Sequence, residues 1–224
     1  MTSDTKAPAS QAGRLKVYEI FYSLQGEARS IGWPTVFVRL TGCPLRCQYC
    51  DTEYAFSGGQ WMTLDEIKSA VQQYRTRHVT VTGGEPLAQK SCLDLLSELA
   101  DLGLHVSLET SGAIDISNVD PRVVKVMDIK TPDSAESEKN IWGNLEYLSP
   151  RDQIKFVICS RSDYQWCKEK LKAFQLADRC EVLFSPSYDQ LPASDLADWV
   201  LEDQLPVRFQ IQLHKALWGD EPGR

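Results

Sequence analysis

Short apolar runs rich in β-branched and aromatic residues alternate along this chain with amphipathic segments, and that alternation restricts its fold more than any other feature. The predicted strands are "PTVFVRL", "HVTVTG", "HVSLET", "VVKVMDI", "QIKFVIC", "EVLFS" and "VRFQIQL". Amphipathic patterns predict helices over "TLDEIKSAVQQYR", "CLDLLSELADL", "SDYQWCKEKLKAF" and "ASDLADWVLED". Because strands that alternate with helices form a parallel sheet with crossover helices, the sequence predicts an α/β protein.

Local signals predict where several of the helices begin and end. A capping box of Thr63 and Glu66 opens the first predicted helix, and a box of Ser162 and Gln165 opens the third. Gly103 is the expected end of the second helix, since glycine readily takes the left-handed conformation that terminates helices.

Polar and glycine residues gather where each predicted strand ends. The strands are followed by "TGC", "TGGE", "ETSG", "DIK", "CS", "SPS" and "LHK". Contributions from so many strands fit a curved sheet that converges on a central site better than the single crevice of a doubly wound sheet. We therefore predict a partial, incomplete βα barrel.

Length and charge limit the class of protein and its partners. The chain has 224 residues, and we expect a disordered tail over residues 1–13 and a single domain over residues 14–224. The formal net charge of −7 disfavours nonspecific binding to nucleic acid or to anionic membranes. No apolar run reaches transmembrane length, and "MTSDTKAPASQAG" lacks the apolar core of a signal peptide. We expect a cytoplasmic protein whose thiols stay reduced.

The stretch "TGCPLRCQYCDTEYAF" places Cys43, Cys47 and Cys50 close together, with no fourth Cys or His nearby. A structural zinc site is closed by four ligands, usually two pairs far apart in sequence. Three closely spaced cysteines can instead hold three irons of a 4Fe–4S cluster and leave the fourth iron open to another ligand. The alternatives are a zinc site completed by a distant ligand, and three buried core thiols, which the polar residues between the cysteines disfavour.

A second motif, "VTVTGGEP", turns through Gly83, Gly84 and Glu85 where a predicted strand ends. Two glycines let the backbone approach a ligand closely, and a carboxylate there can meet an ammonium group. The alternative is a plain strand-to-helix turn that Glu85 caps.

The spacing Cys-x3-Cys-x2-Cys, with Tyr49 before the last cysteine, resembles the signature of the radical S-adenosylmethionine (SAM) superfamily. The resemblance implies that the open iron binds the amino and carboxylate groups of SAM, whose reduction gives a 5′-deoxyadenosyl radical. A partial barrel and a "GGEP" turn that holds the methionine amino group are also typical of that superfamily.

Four further stretches, "YSLQGEA", "ETSG", "MDIK" and "QLHK", make the chain from about Val17 to Lys215 similar to the 7-carboxy-7-deazaguanine synthase family. The resemblance implies a lyase of 7-deazapurine (queuosine) biosynthesis. Such an enzyme converts 6-carboxy-5,6,7,8-tetrahydropterin to 7-carboxy-7-deazaguanine by radical ring contraction, with loss of ammonia and the help of magnesium. It also implies a homodimer and a reductant protein such as flavodoxin.

Matching these motifs position by position implies two sets of contacts. The expected substrate contacts are Leu24, Gln25, Gly26, Glu27, Arg39, Thr110 and His214. The expected SAM contacts are Gly83, Gly84, Glu85, Gly112, Asp128, Ile129, Lys130 and Ser185. In the family, Glu27 would read the 2-amino edge of the pterin and Arg39 would meet its carboxylate.

The residues themselves support Arg39 and leave His214 open. An arginine inside the apolar run "VFVRL" needs an anionic partner, which supports a contact with the substrate carboxylate. The alternative is an arginine at the strand end that forms a salt bridge or extends its charged group to solvent. A single histidine such as His214 at a strand end is equally well explained as a hydrogen-bonded neutral residue.

The magnesium ligand implied by the resemblance is Thr52, two residues after the last cysteine. Magnesium prefers oxygen ligands, keeps waters and uses few protein groups, so one hydroxyl is chemically plausible. Without the resemblance, Asp51 would be the chosen magnesium ligand. The alternative is that Asp51 only forms a turn, with its carboxylate bonded to nearby backbone.

The sequence departs from the family pattern in two places. Ala28 stands where the family often has glycine, which matters if the backbone there needs a positive φ. The turn "DIK" replaces the "SPK" of some relatives, so the resemblance supports Lys130 more strongly than Asp128.

Two other functions share part of this pattern. A glycyl-radical activase has the same cysteine spacing, but "LQGE", Arg39 and "ETSG" suit a small carboxylated heterocycle better than a protein backbone. A non-enzymatic iron–sulfur or zinc module would normally have four ligands and no use for the "GGEP" turn.

Overall fold

The chain folds around a single mixed sheet in the computed structural model, which describes residues 13–219, 221 and 223. Among the described residues the sheet has nine strands: β1 (Arg14–Leu24), β2 (Pro34–Leu40), β3 (Gln60–Thr63), β4 (His78–Gly83), β5 (His105–Thr110), β6 (Val124–Asp128), β7 (Gln153–Ile158), β8 (Glu181–Pro186) and β9 (Arg208–Phe209). The predicted disordered tail, apart from residue 13, lies outside the described residues.

The strand order is β3-β1-β2-β4-β5-β6-β7-β8-β9. Pairing is parallel from β2 to β9, whereas β1 is antiparallel to both β2 and β3. The two outermost strands do not pair with each other, so the sheet does not close. The prediction of an α/β partial barrel is confirmed.

In the part of the chain that the structure describes, six α-helices accompany the sheet: α1 (Leu64–Val71), α2 (Cys92–Asp101), α3 (Arg161–Ala173), α4 (Leu176–Arg179), α5 (Ala193–Glu202) and α6 (Leu213–Trp218). The capping box of Thr63 and Glu66 is confirmed at α1. The predicted box at Ser162 is wrong, because Ser160 caps α3 and accepts a hydrogen bond from the Asp163 backbone N–H at 3.2 Å. Within the described residues, no helix has the length and apolarity needed to cross a membrane.

Sequence patterns missed β1 and β3 and misplaced the end of the last predicted strand. The strand β1 was missed because its polar residues interrupt the apolar pattern; it is held by antiparallel pairs with β2, such as Ile20 with Val38. Only Arg208 and Phe209 of "VRFQIQL" pair with β8. The chain then leaves the sheet, and α6 begins at Leu213.

The two faces of the parallel strands differ in polarity. Val79 and Val81 of β4 belong to the apolar core that the helices cover, whereas Thr80 and Thr82 alternate with them and face the other side. The largest apolar core therefore lies between the sheet and its helices. The inner face of the curved sheet carries polar side chains such as those of Thr80 and Thr82.

The loops after β2 and β4 are in direct backbone contact. Gly84 N–H donates to the Leu40 carbonyl at 3.2 Å, and Glu85 N–H donates to the Gly42 carbonyl at 2.9 Å. A Cβ atom on Gly84 would lie 2.2 Å from the Gly42 carbonyl oxygen. Only glycine allows this approach, so the "GGEP" turn fixes the position of the cysteine-bearing loop.

We predict that Gly84→Ala destabilises the protein by roughly 1–3 kcal/mol, because the new methyl group overlaps backbone that no rotamer change can move. The measurement is urea unfolding of the metal-free protein, followed by circular dichroism. Gly143→Ala is the matched control, since nothing lies within 4 Å of its added Cβ. Equal unfolding midpoints for the two variants would contradict the proposed contact.

Candidate active site

A cavity of about 650 Å³ opens at the carboxyl ends of the parallel strands, within the ~300–1,000 Å³ usual for ligand sites. Most of the predicted site residues line it: Leu24, Gln25, Gly26, Glu27, Arg39, Cys43, Cys47, Cys50, Thr52, Gly83, Gly84, Thr110, Asp128, Lys130 and His214. Residues spread over most of the chain therefore meet at one place, as the strand ends predicted.

The three cysteines of the loop after β2 lie on the wall of this cavity as free thiols. Burial raises the pKa of Cys43 and Cys50, and raises that of Cys47 to about 11. Metal binding itself would have to drive off these protons, because thiolates are the ligands of iron. Three thiols that face one cavity fit a cluster with three protein ligands.

Glu85 does not reach the cavity, contrary to the predicted contact with an ammonium group. Its side chain is fully buried and accepts hydrogen bonds from Thr110 Oγ1 at 2.9 Å and from Ser111 N–H at 2.7 Å. It also accepts bonds from Ser111 Oγ at 2.5 Å and from Leu87 N–H at 3.1 Å. The carboxylate therefore joins the turn after β4 to the turn after β5.

Three other predicted SAM contacts also lie outside the cavity. Gly112, at φ +69°, faces Met127, and Ile129 is buried in the apolar core. Ser185 is buried and donates to the Gln210 carbonyl at 3.2 Å, while the residues after β8 that line the cavity begin at Ser187. The side chains of Ile129 and Ser185 are therefore buried away from the cavity, and Gly112 has no side chain to extend into it.

Glu27 is held in the cavity from two sides. Its Oε2 lies 2.5 Å from Lys155 Nζ, and its Oε1 accepts a hydrogen bond from Gln212 Nε2 at 2.8 Å. A carboxylate has about four acceptor positions, so both oxygens can still accept N–H groups of a ligand. The carboxylate is thus fixed in place and remains able to bind.

A second carboxylate, Asp128, lies between two lysines. Its Oδ2 is 3.3 Å from Lys155 Nζ, and its Oδ1 is 3.1 Å from Lys130 Nζ. Burial on its own would lower the pKa of each lysine, but the nearby anions outweigh it and raise both pKa values. The two ammonium groups therefore stay charged.

Arg39 is paired with Glu19, through a hydrogen bond of 2.7 Å from Nε to Oε1. Its guanidinium also lies 5.6 Å from the Phe21 ring centre and 5.7 Å from the Tyr54 ring centre. The salt bridge considered for this residue is therefore real. Within the described residues only Nε donates a hydrogen bond, which leaves the other nitrogens able to meet an anion.

Thr52 lines the cavity, and its hydroxyl donates to Asp51 Oδ1 at 2.7 Å. Since the proton points at Asp51, the oxygen lone pairs of Thr52 remain able to coordinate a hard cation. Burial would raise the pKa of Asp51, but the Thr52 hydrogen bond and the nearby Lys215 charge outweigh it and lower that pKa. The two candidate magnesium residues thus form one unit.

His214 lies in the first turn of α6 rather than at a strand end, which corrects the expected position. Its ring rests against Gly26, where an added Cβ would be 2.1 Å from Nδ1. Burial lowers the pKa of His214, so the imidazole is neutral near pH 7. The Leu213 N–H also donates to the Gly26 carbonyl at 2.9 Å, which ties α6 to the "LQGE" segment.

Ala28 has a φ of +64°, so the backbone after the "LQGE" glutamate does take the left-handed conformation that favours glycine. The positive φ that the sequence analysis considered for this position is therefore present. For a residue with a side chain, that conformation costs on the order of 1 kcal/mol.

Sequence reasoning missed Lys155 and Glu109, which both line the cavity. Glu109 accepts hydrogen bonds from Thr82 Oγ1 at 3.0 Å and from Gln25 Nε2 at 3.3 Å. Burial, and then the Glu27 charge, raise the pKa of Glu109. The signal for Lys155 was present, because a lysine inside "QIKFVI" needs an anionic partner for the reason that applied to Arg39.

The last described residues also reach the cavity, a role that the sequence did not indicate. Gly219, Glu221 and Gly223 line it after the end of α6.

Comparison with known proteins agrees with this geometry. The family model for the radical SAM superfamily matches residues 37–131, which include the cysteine loop and the "GGEP" turn. A 7-carboxy-7-deazaguanine synthase of Chlorobaculum tepidum is 45% identical over 210 residues, covering 92% of this chain and 96% of the relative. The synthase of Koribacter versatilis is 41% identical, covering 92% of this chain and 98% of the relative.

The fold is also similar to a solved structure. The crystal structure of QueE from Escherichia coli superposes with a TM-score of 0.75 at 23% identity, covering 90% of this chain and 95% of that one. Membership of the radical SAM superfamily implies a 4Fe–4S cluster and SAM, for which the three cavity thiols and the adjoining space are suited. The chain belongs to the 7-carboxy-7-deazaguanine synthase family of radical SAM enzymes.

Proposed function

We propose that this enzyme converts 6-carboxy-5,6,7,8-tetrahydropterin to 7-carboxy-7-deazaguanine with loss of ammonia, with magnesium bound beside the substrate. The observation that carries the proposal is that one cavity holds both the three-cysteine loop and the residues of the "LQGE" segment, Arg39 and His214. A radical made at the cysteine loop would thus form next to a site that suits a small, polar, carboxylated heterocycle.

The cysteine loop would hold the 4Fe–4S cluster through Cys43, Cys47 and Cys50, and the cluster with SAM would supply the radical chemistry. The residues that line the neighbouring space are Gly83, Gly84, Asp128 and Lys130. Glycines there let a ligand lie directly on the backbone, while the alternating charges of Asp128 and Lys130 suit an ammonium and a carboxylate.

The opposite side of the cavity suits the pterin. Glu27 can accept hydrogen bonds from the 2-amino edge, and Gln25 and the neutral His214 add polar groups around the ring. Arg39 offers its remaining guanidinium nitrogens to the substrate carboxylate. The protein's part in the reaction is to hold the substrate in one orientation close to the radical source.

Magnesium would bind at the Thr52 hydroxyl, with substrate oxygens and water in its other positions. Asp51 accepts the hydroxyl proton and thereby orients the oxygen. An outer group that orients a metal ligand in this way is common in metal sites.

The enzyme would also need an electron donor. Radical SAM chemistry needs a reductant, and a reductant protein such as flavodoxin would supply the electron. We propose that the enzyme is a cytoplasmic homodimer. We also propose that it binds neither nucleic acid nor membranes, and the net charge of −7 supports this second point.

The direct test is one anaerobic reaction of cluster-reconstituted protein with dithionite, SAM, magnesium and 6-carboxytetrahydropterin. We expect mass spectrometry to find 7-carboxy-7-deazaguanine, with a lower rate when magnesium is omitted. Formation of 5′-deoxyadenosine alone would contradict the proposed substrate but would agree with radical cleavage of SAM. An intact cluster that yields neither compound would contradict the catalytic role.

We expect Arg39→Ala to raise the KM for the pterin by about tenfold or more, because a charge-assisted hydrogen bond contributes roughly 1.5–3 kcal/mol. The Kd for SAM should change by less than about twofold. Arg29→Ala is the matched control, since Arg29 pairs with Glu181 outside the cavity. Equal losses in pterin and SAM binding by Arg39→Ala would show that Arg39 does not anchor the substrate carboxylate.

A further inference from the structure

Four charged side chains form a line across the floor of the cavity, in the order Glu27, Lys155, Asp128 and Lys130. The successive contacts are 2.5 Å, 3.3 Å and 3.1 Å. Each side chain is 11–16% exposed, so water screens these charges little. The signs alternate and the line carries no net charge, which is how buried ions avoid a large desolvation penalty.

Lys155 is the only member of this line that touches both carboxylates. It projects from β7 beside Asp128 at the end of β6, with which it is paired in the strand register. Glu27 comes from a different part of the chain, the loop after β1. One ammonium group thus joins the segment assigned to the pterin with the turn assigned to SAM.

We propose that Lys155 is a positioning residue that couples the two ligand sites, so that the pterin and SAM each bind more tightly when the other is present. The inference rests on the proposed function, since it takes Glu27 as a pterin contact and Asp128 as part of the SAM site. Lys155 is not among the pterin or SAM contacts that the family resemblance implies.

The coupling follows from the unequal contacts of Lys155. Its ammonium group lies 0.8 Å closer to Glu27 than to Asp128, the difference between 3.3 Å and 2.5 Å. Pterin N–H groups that donate to Glu27 share its negative charge and so weaken its pair with Lys155, and the ammonium group then pairs more strongly with Asp128. A tighter pair with Lys155 holds the Asp128 turn in one conformation, and a turn ordered beforehand binds its ligand with less loss of entropy.

Lys155→Gln tests the coupling, because glutamine keeps a polar side chain and removes the charge. The measurement is anaerobic calorimetry of SAM binding to cluster-loaded protein without reductant, with and without saturating 6-carboxytetrahydropterin. We expect the pterin to tighten SAM binding at least about fivefold in the wild type. The coupling ratio is the Kd for SAM without the pterin divided by the Kd with it. In Lys155→Gln this ratio should fall to less than about two.

Two further variants separate coupling from general damage. Lys155→Arg keeps the charge between the carboxylates and should keep most of the coupling. Lys125→Gln is the matched control, because Lys125 is a buried lysine of the adjacent strand β6 that pairs with Asp152 at 3.1 Å outside the cavity. It should lose stability as Lys155→Gln does, yet keep the coupling ratio.

If Lys155→Gln fails to fold, Asp128→Asn removes the pair of Lys155 with Asp128 and leaves the pair with Glu27. In this variant too, the pterin should no longer tighten SAM binding. A direct effect of this change on SAM binding cancels, since the ratio compares SAM affinities within one variant. A ratio near one in the wild type, or a wild-type ratio in either of these charge-removing variants, would overturn the inference. Wild-type protein that binds SAM but no pterin would instead overturn the proposed function.

Discussion

The site depends on Glu85, whose backbone and side chain join the ends of three parallel strands. Its N–H binds the Gly42 carbonyl in the cysteine loop after β2, and its carboxylate binds Ser111 after β5. The side chain is fully buried, so its carboxylate needs hydrogen bonds to offset the loss of water. Those bonds hold the cysteine loop, the "GGEP" turn and the "ETSG" turn at fixed distances, which is what a cluster and two ligands in one cavity require.

The second constraint on the site is charge balance. A cavity that accepts a pterin and SAM has to present ions of both signs without water to screen them. The chain meets this need by alternation: Arg39 is balanced by Glu19, and Lys155 lies between Glu27 and Asp128. Each ion keeps some hydrogen-bonding capacity for a ligand while its charge is compensated. The charges that line the cavity are therefore compensated before ligands bind.

Sequence patterns predicted the parallel strands well because runs such as "HVTVTG" and "QIKFVI" are rich in apolar and β-branched residues. They missed β1 and β3 because polar residues interrupt the apolar pattern of both, and each is held in the sheet by antiparallel pairing. The site residues were found through motifs, so Lys155, which belongs to no motif, was missed. Ser185 and Glu85 show the converse, since each lies in a motif while its side chain is buried in the interior.

The proposed chemistry depends on three thiolates that would leave one iron of the cluster open to SAM inside this cavity. Mössbauer spectroscopy of protein reconstituted with iron-57 tests it most directly, with spectra recorded before and after SAM is added. We expect one iron in four to change its isomer shift, because only that iron would gain the amino and carboxylate ligands of SAM. Spectra that do not change on addition of SAM, or a cluster whose four irons remain equivalent, would contradict it.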